Sequence, residues 1–232
     1  MSLIICVHVE EGIVIAGDSR SSYNKTDGNI TQVGVHTTNT TNKVFSCPNN
    51  VGIAVCGDAS VNGNPISGFV ESFIRERIDE KTDIENIPRL IKDYFKDLDQ
   101  NLNTTFVIAG YKRQNEKYIK KIYRIRTKTD DLEIIDTEHQ GALWDGETTT
   151  LTKLIQPVYL KDNENYIPLP PSEIAWNLYT LQDAIDFAKY GIKTTMDTMK
   201  FQAIPETVGG PIDILIMKPG EIFWLAKKEL KW

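Results

Sequence analysis

Ser2 is the residue of this chain whose type and position most directly suggest chemistry. It follows a single Met and opens onto a strand-like run, "LIICVHV". A serine hydroxyl is a weak nucleophile until a base takes its proton. A chain terminus offers such a base in its own α-amine, whose pKa of about 8 lies far nearer neutrality than a lysine side chain. Removal of Met1, which a small second residue permits, would put hydroxyl and amine on one residue. The chemistry is then acyl transfer through a covalent ester. Read singly, the neighbouring polar residues are ordinary. Ser2 is simply a second residue, Asp18 a turn former at a strand end, Lys43 a strand lysine, and Gly57 a bulge or turn glycine.

The elements that must position these residues follow from the hydrophobic pattern. Leu3–Val9 and Ile13–Ala16 are apolar and β-branched and read as a hairpin across Glu10-Glu11-Gly12. Ser21–Thr41 is polar and reads as a long loop or irregular arm. Lys43–Cys47 and Val51–Cys56 read as a second hairpin across Pro48-Asn49-Asn50. Apolar spacing predicts helices over Ile66–Ile78 and Ile84–Leu102. Asp83 is placed to cap the second, and Pro88 fits only its first turn. Strands follow at Thr105–Tyr111, Tyr118–Arg126, Leu132–Asp136 and His139–Trp144. Helices are expected at Thr148–Tyr159 and Leu181–Met199, separated by a proline-bearing loop over Asn163–Pro171. Pro211–Met217 and Ile222–Ala226 form a last hairpin. With no internal repeat and no linker, the order predicts one α+β domain over residues 1–232. It is expected to be a four-layer αββα sandwich, two antiparallel sheets between helix layers.

Composition bounds the function. The chain has 232 residues, is 41% hydrophobic and 25% charged, and carries a net charge of −6. That balance gives no footing for nucleic acid or an anionic membrane surface. No apolar run approaches the roughly 20 residues of a membrane helix, and no signal segment precedes the first strand. The three cysteines, Cys6, Cys47 and Cys56, sit in strand-like surroundings without metal or redox spacing. They read as buried free thiols in a reducing cytoplasm. His8, His36 and His139 are far apart in sequence, so neither a metal site nor a cofactor is expected.

Two blocks carry a family resemblance. The run S-x-I-x-x-V-x-x-x-x-G-I-V-I-A-G-D-S-R, from Ser2 to Arg20, resembles the start of a mature proteasome β subunit or of the peptidase of the bacterial two-component ATP-dependent protease. These are N-terminal nucleophile hydrolases. The block "NKVFSCPNNVGIAVCGDAS", Asn42–Ser60, is similar to the family's Lys-Val/Leu-Phe … Gly-x-x-x-Ala-Gly segment and aligns without gaps from Lys43 to Gly57. The resemblance implies that Ser2 is the nucleophile and that Lys43 lowers the pKa of its hydroxyl. It implies that Asp18 keeps Lys43 charged and oriented, that Gly57 offers its N–H to an oxyanion, and that Arg20 braces the turn after Asp18. Lys43→Ala is then expected to remove most hydrolysis and to leave folding nearly unchanged.

The chain departs from the family's pattern in four places. It has Ser where members usually have Thr, and a longer loop over Ser21–Asn42. It has Trp144-Asp145-Gly146 where a Gly-Ser-Gly is usual. It lacks the later Arg-Asp-x-x-Ser-Gly, and Asp197 does not fall in register. The activity implied is peptide-bond cleavage, on peptides or unfolded protein, in a homo-oligomeric ring or stack. An ATP-dependent unfoldase would be its partner. The alternatives are an N-terminal nucleophile amidohydrolase acting on small amides, and an inactive scaffold subunit. The wide apolar faces of the two helices that bear Phe69, Phe73, Tyr94 and Phe95 are expected to serve subunit contacts as well as the core.

Overall fold

The computed structural model describes residues 2–28, 30–169 and 173–229. Met1, and Pro170 and Pro171 of the expected loop, lie outside them. The strands and helices run β1 (Leu3–Val9), β2 (Gly12–Gly17), β3 (Ser21–Asp27), β4 (Ile30–Thr38), β5 (Val44–Ser46), β6 (Gly52–Gly57), β7 (Ser60–Val61), β8 (Asn64–Pro65), α1 (Ile66–Arg77) and α2 (Ile87–Leu98). The second half continues with β9 (Thr104–Gln114), β10 (Lys117–Arg126), β11 (Asp131–Ile134), β12 (Gly141–Gly146), α3 (Thr149–Ile155), β13 (Tyr159–Asp162), β14 (Asn165–Pro168), α4 (Leu181–Met199), β15 (Asp213–Lys218) and β16 (Glu221–Ala226).

β1 is buried along its whole length, and its alternation decides what it touches. Leu3, Ile5 and Val7 point to one side and pack with Leu151 of α3 and Ala184, Ala188 and Ile192 of α4. Ile4 and Cys6 point to the other side and meet Val44, Ala54, Cys56 and Val107. β1 belongs to a five-stranded sheet ordered β12-β1-β2-β15-β16, and Val44 to Val107 come from β5, β6 and β9 of a second, ordered β11-β10-β9-β6-β5. On the far side of this second sheet, Ile53, Val55 and Phe106 pack with Val70 and Phe73 of α1 and Ile91 and Phe95 of α2.

The expected picture of a four-layer αββα sandwich with two sheets is corrected by the strand count. Among the described residues there are five sheets and four α-helices, and strand outweighs helix. Three two-stranded ribbons, β3–β4, β7–β8 and β13–β14, stand beside the two larger sheets. The segment expected as a loop at Ser21–Thr41 is the β3–β4 ribbon. The helix expected over Thr148–Tyr159 stops at Ile155, because Pro157 cannot continue it, and the chain turns into β13. β14 occupies part of the expected Asn163–Pro171 loop. The helix expected from Ile84 opens as a 3-10 turn, Ile84–Asn86, where Asp83 accepts from the Glu85 N–H, and becomes α only at Ile87.

Helices α1 and α2 spend their aromatic faces internally. Phe73 and Phe95 are fully buried, and Phe69 and Tyr94 pack on the same core. The apolar surplus expected on these helices instead appears on the β13–β14 ribbon, where Tyr159, Leu160, Tyr166 and Ile167 are about half or more exposed. All three cysteines are buried and free, and burial pushes the Cys47 and Cys56 thiols up to about 12. No helix among the described residues is long and apolar enough to cross a membrane.

Candidate active site

The site is built where β2 ends. Ile4 lies opposite Gly17, so Asp18, the next residue, emerges beside the beginning of β1. Its carboxylate is fully buried and accepts four donors. Oδ1 takes the Leu3 N–H at 2.9 Å and Lys43 Nζ at 2.8 Å. Oδ2 takes the Arg20 N–H at 3.0 Å and the Gly209 N–H at 2.9 Å. A carboxylate with this many donors satisfies the rule that buried charge must be paired and bonded. It also ties the first strand, the segment before β5 and the loop before β15 to one point.

Lys43 stands just ahead of β5, with its carbonyl accepting the Val55 N–H at 2.9 Å. Its side chain is 2% exposed and donates to both Asp18 and the Arg20 carbonyl. Burial pushes the Lys43 ammonium below the ordinary lysine range, while the Asp18 carboxylate acts against that shift. Burial and the Asp18 carboxylate thus act on the Lys43 amine in opposite directions. Its burial also corrects the expectation that Lys43→Ala leaves folding nearly unchanged, since the change would strand a buried carboxylate.

Ser2 is buried, and its carbonyl accepts the Glu147 N–H at 2.7 Å. β12 closes over it: Gly146 lies opposite Leu3 at φ +101°, and a Cβ there would fall 1.8 Å from the Ser2 carbonyl oxygen. Only glycine permits that approach. Gly57 ends β6 at φ +119°, with its missing Cβ 2.3 Å from the Asn103 carbonyl oxygen. It is exposed and stands outside the Asp18 network, one residue past Cys56. The Cys56 thiol is close enough to feel the charges of Lys43 and Asp18.

Arg20 leaves the turn in the other direction. It pairs with Glu206 at 2.7 Å and donates to Asn39 Oδ1 at 2.8 Å. Gly209 packs so tightly on its guanidinium that a Cβ would sit 2.5 Å from Cζ. Sequence reading missed Glu206 and Gly209; Asp197, which it found out of register, lies on the exposed face of α4, paired with Lys193 and Lys200. It also assigned no role to Asp145, which bonds Arg124 at 3.0 Å and whose carboxyl is pushed up by burial. A cleft of about 760 Å³ opens beside this network. Arg20, Ser22, Thr37, Glu147, Met199 and Glu206 are among its walls. Among the described residues no cluster of His, Cys, Asp and Glu could hold a metal ion.

The chain matches no protein-family model and no curated protein. It is similar to two solved structures of Anbu from Hyphomicrobium sp. strain MC1, one of them of a mutant. The mutant structure has a TM-score of 0.61 at 13% identity, over 98% of this chain and 86% of that one. The other has a TM-score of 0.57 at 13% identity, over 98% and 88%. The expected likeness to a proteasome β subunit or a two-component peptidase is corrected by these findings. The two sequence blocks carry no family match. What the comparisons show is a fold shared with these Anbu structures over 98% of the chain.

Proposed function

We propose that this chain hydrolyses peptide or amide bonds with Ser2 as an N-terminal nucleophile, exposed by loss of Met1. The observation that carries the reading is the Asp18 carboxylate, which binds the Leu3 N–H and Lys43 Nζ on one oxygen. That shared acceptor fixes Lys43 beside the first peptide of the chain. The freed α-amine takes the Ser2 Oγ proton, and Oγ attacks the carbonyl carbon. The C–N bond breaks, the leaving amine takes the proton, and water then hydrolyses the Ser2 ester. Lys43, whose amine burial makes a weaker base than an ordinary lysine, assists proton movement near Oγ or stabilises the charge that develops there. Asp18 orients Lys43, Arg20 braces the turn, and the Gly57 N–H serves the oxyanion.

In this reading the working form is a homo-oligomer, and the substrates are peptides or unfolded chains. The exposed Tyr159, Leu160, Tyr166 and Ile167 of β13–β14 favour association. Ser2→Ala, made in protein whose Met1 is removed, is expected to abolish hydrolysis of a fluorogenic peptide amide, with the light-scattering mass of the assembly unchanged. Turnover equal to that of the unsubstituted chain would put the nucleophile elsewhere. A monomer mass across a wide concentration range would leave small-amide hydrolysis as the reading.

A further inference from the structure

A second buried ion pair stands next to the first. Asp213 opens β15 and lies directly opposite Gly17, the residue before Asp18. Its carboxylate is held from both sides by one residue beyond β16. The Lys228 N–H donates to Oδ1 at 2.8 Å, and Lys228 Nζ donates to Oδ2. The two side chains are 6% and 3% exposed. An independent feature sets the segment after β16 beside Lys43. One cavity of about 240 Å³ is lined by Asn42 and Val44, the two neighbours of Lys43, and by Trp224 and Lys227. Lys227 lies over the Trp224 ring at 4.7 Å, which anchors the chain just before Lys228.

A buried ion pair is a weak source of stability, because desolvation offsets most of its attraction. Its position suggests another role. We propose that Asp213 and Lys228 act through Lys43, with Lys228 a positioning residue for the chemistry that Lys43 assists. Lys43 Nζ donates to Asp18 and the Arg20 carbonyl after β2, and a Cβ on Gly17, opposite Asp213, would lie 3.6 Å from the Lys43 Cβ; the Cys56 thiol on β6 and Lys228 after β16 act on Lys43 through their charge. The Asp18 carboxylate favours the charged amine. The Lys228 cation opposes it, in the same direction as burial. Two ammonium groups in one buried region cannot both be held as easily as one. Lys43 therefore gives up its proton more readily with Lys228 in place than without it. The catalytic meaning of this rests on the reading of Ser2 and Lys43 above; the electrostatic coupling does not.

The test is a lysine titration of the full chain, labelled with ¹³C at lysine Cε and followed by NMR, with the Lys43 signal assigned through Lys43→Arg. Lys228→Met removes the cation and frees the Asp213 anion, so the Lys43 midpoint is expected to rise. Asp213→Asn leaves the Lys228 cation unneutralised and should move the midpoint the opposite way. A role confined to holding the fold gives no such opposition of sign. Where Lys228→Met fails to fold, the double variant Asp213→Asn/Lys228→Met removes both charges together and should still raise the midpoint, by less. Lys227→Met should leave it in place. Lys43 curves that superimpose on those of the unsubstituted chain overturn the proposal. Hydrolysis does not enter this readout, so an inert Ser2 would defeat the reading of function without touching it.

Discussion

Lys43→Ala is expected to lower hydrolysis by about 10²–10⁴-fold and to cost about 3–5 kcal/mol of stability. The two losses have one origin. The Lys43 ammonium is the only side-chain cation among the donors to the Asp18 carboxylate; the other three are backbone N–H groups. Without it a buried carboxylate keeps its hydrogen bonds and loses its counter-charge. The same change removes the amine that shares one Asp18 oxygen with the Leu3 N–H. Lys43→Arg separates the effects. It keeps a cation for Asp18 but cannot release a proton near neutral pH. The Arg variant should recover much of the stability, read by urea unfolding, and little of the turnover. Turnover in Lys43→Ala equal to that of the unsubstituted chain would place the chemistry elsewhere.

The second large effect concerns Met1. Chains that retain Met1 are expected to be inactive, because the α-amine is then one residue away from the hydroxyl and tied into a peptide bond at Ser2. The crowding is steric as well. Ser2 is already buried, with β12 pressed against its carbonyl through Gly146. In a mixed preparation, specific activity should rise in proportion to the fraction of chains that lack Met1, measured by intact mass. Full activity with Met1 on every chain would defeat the terminal-nucleophile account.

The sequence is legible where burial writes a pattern. β1, β2 and β15 are short runs rich in Val, Ile and Leu, and the structure sets them side by side in one sheet. The polar ribbons show no such pattern, since no core enforces alternation on them. Their signal is in the turns. Gly28, at φ +59°, directly follows β3, and Asn62-Gly63, with φ of +49° and +79°, joins β7 to β8. Asn-Gly between two strands is a strong hairpin signal. Pro157 likewise marked the end of α3.

The site divides in the same way. Asp18 and Lys43 stand at strand ends in the two blocks that carry the resemblance, and they meet in the structure at 2.8 Å. Glu206 and Gly209 reach Arg20 and Asp18 from 186 and 191 residues away, out of a loop with no periodicity. Lys228 carries no mark that separates it from its neighbour Lys227, yet one is buried on Asp213 and the other lies over the partly buried Trp224 ring. Contacts of that kind arise from how β15 and β16 are laid against β2, which local sequence does not encode.

The most direct measurement uses a peptide α′,β′-epoxyketone, a reagent that closes a stable ring only when a hydroxyl and a free amine belong to one residue. The chain is incubated with it, and intact mass and peptide mapping locate the adduct. The account predicts one adduct on each chain lacking Met1, mapped to Ser2, none on chains retaining Met1, and loss of hydrolysis in step with labelling. Hydrolysis that persists while Ser2 is fully labelled, or that proceeds with Met1 intact on every chain, would contradict it.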